Sequence, residues 1–327
     1  MAGPHDVLAQ VPQLATTAPA AAPAAPAPGE GEPLYAAPTR EDRSGRILAA
    51  VEIDGQGPYR FILDTGANSS ALAPQVAEQL RLPPAGEVSV HGVTGTAVVP
   101  AVRVETMRAG DVVQSAAILP VLPGNIFNGA DGILGISGMQ EMRIDVDFLH
   151  DRVTISRSRG WRATSSFVTI KATLWQGGLL LVTGRVGSIL TQIIIDTGAE
   201  RTMGNVPLRQ AIVARSRPGE EFATTVFGAT ADTETGTYFR APRISIGSSH
   251  LNDQPVTFGD LHVFDLWGLT DVPALVIGMD VLGRFERFVV DYRRKEFQIS
   301  ARSNGKAFMR KCTATDCGSR IPASDGG

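Results

Sequence analysis

The sequence is short of several things, and each shortage excludes a class of protein. Only two of its 327 residues are cysteine, too few for a disulfide-dense scaffold or a four-cysteine zinc site. Five scattered histidines leave little material for a His-rich metal centre, and neither a metal nor a cofactor is expected. Aromatics make up 6% of the chain, against 35 glycines and 21 prolines, a composition that favours turns and short strands over long helices. The formal net charge is -3, so no basic surplus exists to neutralise a phosphate backbone, and nucleic acid is not an expected partner. No glycine-rich loop ends in Gly-Lys-Ser/Thr, which leaves nucleotide hydrolysis without support. No run of roughly 18 uninterrupted apolar residues is available to span a membrane. What the chain does have is 43% hydrophobic residues, enough for a sizeable core and, at this length, for two lobes or domains.

The two ends differ from the body. Residues 1–45 are dominated by Ala and Pro, most strongly from Ala18 to Pro28. Ala and Pro bury little area, and Pro blocks both helix and ladder hydrogen bonds, so an extended segment is expected, either a propeptide or a plain linker. No charged stretch followed by an apolar one stands at Met1, so a secretory leader has been removed or was never there. The polar tail, residues 304–327, carries Cys312 and Cys317 in one short loop. They read either as a local disulfide in an oxidising compartment or as two free thiols. The tether and the cysteine pair lean towards a periplasmic or secreted location.

The body contains one pattern twice. Val51–Gly55 and Tyr59–Leu63 read as strands around a Gly-containing hairpin, and the second runs into Asp64-Thr65-Gly66-Ala67. Leu179–Val182 and Gln192–Ile195 lead in the same way into Asp196-Thr197-Gly198-Ala199, 132 positions later (196 − 64). Val90-His91-Gly92-Val93-Thr94 is matched by Val226-Phe227-Gly228-Ala229-Thr230 at an offset of 136 (228 − 92). Ile133-Leu134-Gly135 is matched by Val276-Ile277-Gly278 at 143 (278 − 135), and Asp147-Phe148 by Asp291-Tyr292 at 144 (291 − 147). The offset climbs and never reverses, as two copies of one unit with small loop insertions require. The copies are residues 46–160 and 165–303.

An aspartate at the end of a buried apolar strand is costly as an isolated anion and needs a partner. The Gly two positions on permits a tight turn and close backbone approach, and the Thr hydroxyl can bond across to the other copy. If the copies pack about a pseudo-twofold axis, Asp64 and Asp196 face each other. Two carboxylates in one site cannot both ionise, so they share a proton. The ionised member can then take a proton from water, while the protonated member polarises a carbonyl.

In these motifs the sequence resembles an aspartic protease of the retropepsin-like kind, with two units fused in one chain. The resemblance covers residues 46–303. It rests on the two strand-to-Asp-Thr-Gly-Ala segments and on the later apolar pairs ending in Gly. It implies an all-β, bilobal fold with a central cleft and only short helices, one at 74–82 and others after Gly135 and Gly278. It implies Asp64 and Asp196 as the catalytic pair, with Thr65, Gly66, Thr197 and Gly198 shaping the loops. Leu134-Gly135 and Ile277-Gly278 would thread beside those loops and support them. His91, Gly92, Val93 and Thr94, with Phe227, Gly228 and Ala229, sit where the family carries flaps, with Gly92, Gly95 and Gly228 as hinges. The substrate implied is a protein or peptide bound as a strand. One chain supplies both aspartates, so a monomer is sufficient. Ala67 and Ala199 follow the glycines, as in retroviral and related bacterial enzymes, where pepsin-like enzymes carry Ser or Thr. Without that hydroxyl the dyad should titrate higher, giving a mildly acidic optimum. The competing reading is an inactive peptide-binding or structural module.

Other residues carry plainer readings. Asp131 is expected in a turn, and Asp145, Asp147 and Asp291 at strand ends and loops. Trp161, Trp175 and Trp267 are expected in the core or at the lobe junction. His91 is either a substrate contact or a solvated loop residue. Asn68-Ser69-Ser70 is a formal glycosylation sequon beside the active loop. Gly135-Ile136-Ser137-Gly138 lacks the spacing of a nucleophile elbow.

Overall fold

The computed structural model describes residues 36–38 (as backbone), 45–160, 166–216, 219–230 and 232–300. The expectations for Cys312, Cys317, Trp161 and most of the Ala/Pro segment lie outside the described residues. The chain is mostly β-sheet with few helices, arranged as one seven-stranded sheet and one fifteen-stranded sheet. Among the described residues, no helix is long and apolar enough to cross a membrane.

The seven-stranded sheet belongs to the first half of the chain. Strands Leu48–Ile53 and Gln56–Leu63 pair antiparallel around Asp54-Gly55, with both turn residues at positive φ. The end of the second strand is buried on both faces: Phe61 and Leu63 enter the main core, and Ile62 enters a smaller cluster with Leu48, Val99 and Phe127. Burial of each such side chain contributes about 1.5–3 kcal/mol, which fixes the strand against slipping by one residue. The second half repeats the device. Ile193, Ile194 and Ile195, at the end of strand Ile189–Ile195, are fully buried.

The halves meet in the larger sheet. Strand Met142–Asp147 of the first half pairs antiparallel with Arg287–Asp291 of the second, setting Asp145 opposite Val289 and Asp147 opposite Arg287. Asp145 therefore lies inside a strand and not at its end. Both its carboxylate oxygens bond the Arg287 guanidinium, at 2.6 Å each. Asp147 and Asp291 do end their strands, where they accept backbone N–H groups of the following turns. Ala36–Pro38 adds a short strand along Arg152–Arg157 at this sheet's edge.

The expected helix at 74–82 is present but shorter, Pro74–Gln79. Its last turn closes at Leu80, Arg81 turns left-handed at φ 52°, and Pro83 disfavours helix at the residue before it. Helix Met279–Leu282 follows Gly278 as expected. No helix follows Gly135: residues there form a turn with Gly138 at φ 78°, a conformation no helix interior accepts. Trp267 is buried, and half-buried Trp175 donates its indole N–H to the Trp267 carbonyl at 2.7 Å.

Candidate active site

Each Asp-Thr-Gly-Ala segment leaves its strand beside a second, parallel strand. Gln56–Leu63 runs parallel to Gly132–Leu134 with Leu63 opposite Leu134, and Ile189–Ile195 runs parallel to Ala274–Ile277 with Ile195 opposite Ile277. The ladders end alike: Asp64 N–H donates to the Leu134 carbonyl and Asp196 N–H to the Ile277 carbonyl, both at 3.0 Å. The following glycines allow the loops to lie on these strands. A Cβ on Gly135 would stand 2.6 Å from the Ser69 carbonyl, and one on Gly278 would stand 2.8 Å from the Ala199 carbonyl. Ile136 N–H and Met279 N–H then bond the Ala67 and Ala199 carbonyls, at 2.9 and 2.8 Å.

The two loops lock onto each other through their threonines. Thr65 Oγ1 donates to the Ile195 carbonyl at 2.7 Å and accepts from Thr197 N–H at 3.0 Å. Thr197 Oγ1 donates to the Leu63 carbonyl at 2.6 Å and accepts from Thr65 N–H at 3.1 Å. Both threonines are fully buried, so each hydroxyl satisfies one donor and one acceptor that water cannot reach. This lock brings the acids together, and the Asp64 and Asp196 carboxyl groups hydrogen-bond each other. Gly66 lies against Asp196, where an added Cβ would be 2.5 Å from the carboxyl carbon, and Gly198 packs as tightly on Asp64.

Burial is the largest cause of an upward pKa shift at both acids. At Asp64 the charge of Asp196 and the hydrogen bond to it add to the rise, which carries the group well above the carboxylate range. At Asp196 the rise is opposed by hydrogen bonds, chiefly from Gly198 N–H at 2.8 Å and from the Asp64 side chain, then from Ala199 N–H at 3.2 Å. Asp64 Oδ1 accepts one backbone donor, Gly66 N–H at 2.9 Å. Asp196 Oδ1 thus has two backbone donors where Asp64 Oδ1 has one, a difference that favours the charge on Asp196.

Several neighbours carried no signal of their own in the sequence. Asp280, two residues past Gly278, accepts the Thr202 hydroxyl at 2.7 Å and the Thr202 N–H at 3.1 Å. Thr202 Oγ1 in turn accepts Gly278 N–H at 3.3 Å, so Asp280 braces the second loop from behind. The corresponding first-half contact is Gly135 N–H on Ser70 Oγ at 3.1 Å. Arg46 bears a positive charge that acts on Asp64, and it lies 3.9 Å from Glu200. Tyr292 is 2% exposed, and its hydroxyl has no hydrogen-bond partner among the described residues. Burial first, then the charges of Asp64 and Asp196, push that phenol far up.

The two expected flap segments meet. Thr94 Oγ1 and Thr230 Oγ1 lie 3.1 Å apart, both buried. Gly92, Gly95 and Gly228 serve close approach here and none adopts positive φ: a Cβ on Gly228 would fall 2.5 Å from Thr94 Oγ1, and one on Gly95 2.5 Å from an Asp232 carboxylate oxygen. Val93 packs on the main core, whereas Phe227 is 72% exposed and faces solvent. His91 is exposed, as a solvated histidine would be, and it also bonds Thr96 and stacks on His262. Asp131 accepts Arg60 N–H at 2.7 Å, the turn role expected of it. Asn68 donates its side-chain amide to the Gln176 carbonyl. Among the described residues, no cluster of three or more His, Cys, Asp or Glu side chains is arranged to hold a metal ion.

No curated protein matches the chain. A family model described as aspartyl protease matches residues 49–137, a stretch that includes Asp64-Thr65-Gly66 and Leu134-Gly135. That match supports a peptidase, a hydrolase of proteins or peptides, at the level of the family and over those residues.

Proposed function

We propose that this chain is an aspartic endopeptidase that hydrolyses peptide bonds with a water held between Asp64 and Asp196. Its body, on this reading, is two pseudo-twofold-related β lobes, residues 46–160 and 165–303, descended from one duplicated unit. The observation that carries the reading is the reciprocal Thr65–Thr197 lock, which seats each loop's glycine against the other loop's aspartate. A pair of turns has no structural need to bury two carboxyl groups against each other, since that arrangement costs stability.

The chemistry follows from where the proton sits. Asp196, ionised and supported by two backbone donors, takes a proton from the water. The oxygen attacks the scissile carbonyl carbon while Asp64 gives its proton to the carbonyl oxygen, and a gem-diol forms. As the carbonyl reforms, Asp64 recovers a proton from one diol hydroxyl. Asp196 passes the proton it took to the departing nitrogen, and the C–N bond breaks. Both acids end as they began. Activity requires one proton on the pair, and both pKa values are raised, so the optimum lies in mildly acidic solution. The turns at 91–95 and 227–230 roof the cleft over an extended substrate and exclude water. A single copy of the chain holds the complete site.

The test is digestion of a denatured protein by the purified chain. Cleavage should disappear in Asp64→Asn and in Asp196→Asn, a loss of roughly a thousand-fold or more, and should be blocked by a statine-type mimic of the gem-diol. Peptide binding without turnover in the parent chain would assign it instead to a binding module.

A further inference from the structure

The first roof turn is fastened at a point distant in sequence from the two aspartates. His91 ends strand Pro84–His91, and Thr96 begins the strand Thr96–Ala109 that returns from the turn. Between them Gly92 N–H bonds the Gly95 carbonyl at 2.8 Å. His262 belongs to the other half of the chain, at the start of the short helix His262–Leu266. Thr96 Oγ1 stands 2.9 Å from His91 Nδ1 and 3.3 Å from His262 Nε2. The two imidazoles are stacked, with ring centroids 6.0 Å apart and planes inclined by 24°. Val263 N–H completes the attachment by donating to the Val93 carbonyl at 3.3 Å. Three contacts thus hold the turn to a helix about 170 residues further along the chain.

This arrangement is sensitive to protons. Thr96 has one hydroxyl hydrogen and sits between two ring nitrogens. With neutral rings it donates to one and accepts the N–H of the other, so all three groups are satisfied. With both rings protonated, both nitrogens are donors, the hydroxyl hydrogen loses its acceptor, and two like charges face each other at stacking distance. The surrounding charges do not cancel this. Asp232, from the second turn, lies against Gly95, and Asp260 and Asp265 flank His262 on its own segment. Among the described residues, none of these carboxylates forms an ion pair with either ring.

We propose that His91, Thr96 and His262 form a proton-operated clasp, which holds the 91–95 turn closed when neutral and releases it when both rings are charged. This rests on the reading of that turn as the roof of the Asp64–Asp196 cleft, and it adds a regulation to that site. Acid would open the cleft to an extended peptide. At neutral pH the roof would be shut.

Amide hydrogen exchange on the full chain tests this, in an Asp64→Asn background so that no self-cleavage intervenes. Protection of Val93 to Ala97 and of Val263, corrected for the intrinsic pH dependence of exchange, should fall roughly ten-fold between about pH 8 and about pH 5. His262→Phe and His91→Phe each keep an aromatic ring and lose the proton, so each should flatten that response. Protection that stays level in the parent, or that falls equally in both variants, overturns the clasp. The outcome is separable from catalysis. Level protection alongside cleavage by the unmodified chain removes the clasp and leaves the protease. A titrating turn in a chain that never cleaves leaves the switch and removes the protease.

Discussion

The two Asp-Thr-Gly-Ala loops share sequence, register and lock, yet they hold their acids differently. Asp196 Oδ1 gathers Gly198 N–H and Ala199 N–H, whereas Asp64 Oδ1 gathers only Gly66 N–H, because Ala67 N–H points instead to the Asp64 backbone carbonyl at 3.4 Å. Behind the loops the difference is larger. Asp280 clamps the hydroxyl and N–H of Thr202, while the first half has Ser137 at the matching place in its Gly-Ile-Ser segment, with its carbonyl engaged by Gln114. A motif repeated residue for residue thus need not repeat its electrostatics. On the proposed mechanism one acid is charged and one protonated, and the surplus of donors at Asp196 favours the charge there.

Three measurements would break or sharpen this comparison. The lock is where the loops are equal, so Thr65→Val and Thr197→Val should behave alike. Each keeps the shape, strands a buried N–H and carbonyl, and should cost about 1–3 kcal/mol in urea unfolding, with a drop in turnover. Unequal costs would show that the lock is not reciprocal in energy. The brace is where the loops differ. Asp280→Ser, which copies the first half, should destabilise by about 1–2 kcal/mol and depress kcat more than KM. Ser137→Asp should give no compensating gain. An Asp280→Ser protein with parental stability would remove the brace from the explanation.

The third and smallest effect concerns pH. A carboxyl group whose pKa is raised by folding favours the protonated state. Its contribution is fully present below the unfolded pKa and is lost as pH rises through the folded pKa. Asp64→Asn imitates the protonated form at every pH. Its Tm should therefore match the parent in acid and exceed it by a few degrees at neutral pH, the gap opening as pH rises through the raised pKa of Asp64. A gap that opens on acidification would reverse the assignment of the proton.

Much of the site was legible because its chemistry is written in short runs. A buried β strand must be apolar until it ends, so Phe61-Ile62-Leu63 and Ile193-Ile194-Ile195 announce where Asp64 and Asp196 emerge. Leu134-Gly135 and Ile277-Gly278 were visible for a related reason: only glycine lets a loop carbonyl approach so closely. The expected helix after Gly135 failed on Gly138, whose left-handed turn ends any helix before it begins. Asp145 was misread because its partner, Arg287, lies 142 positions away, and a strand tolerates an inward charge only when such a partner exists. His262 and Asp280 belong to no repeated pattern, so nothing local distinguished them from ordinary polar residues.

By itself, the sequence determined that two acids would stand at the ends of two buried strands, each followed by a turn that only a small residue permits. Hydrophobic periodicity and backbone sterics act over a few residues, and these facts need nothing more. The unequal donors at the two acids, what braces the second loop and what fastens the first turn were decided only when the halves came together. Those outcomes depend on hydrogen bonds and charges between residues far apart in the chain, whose energies exist only after packing has excluded water from between them.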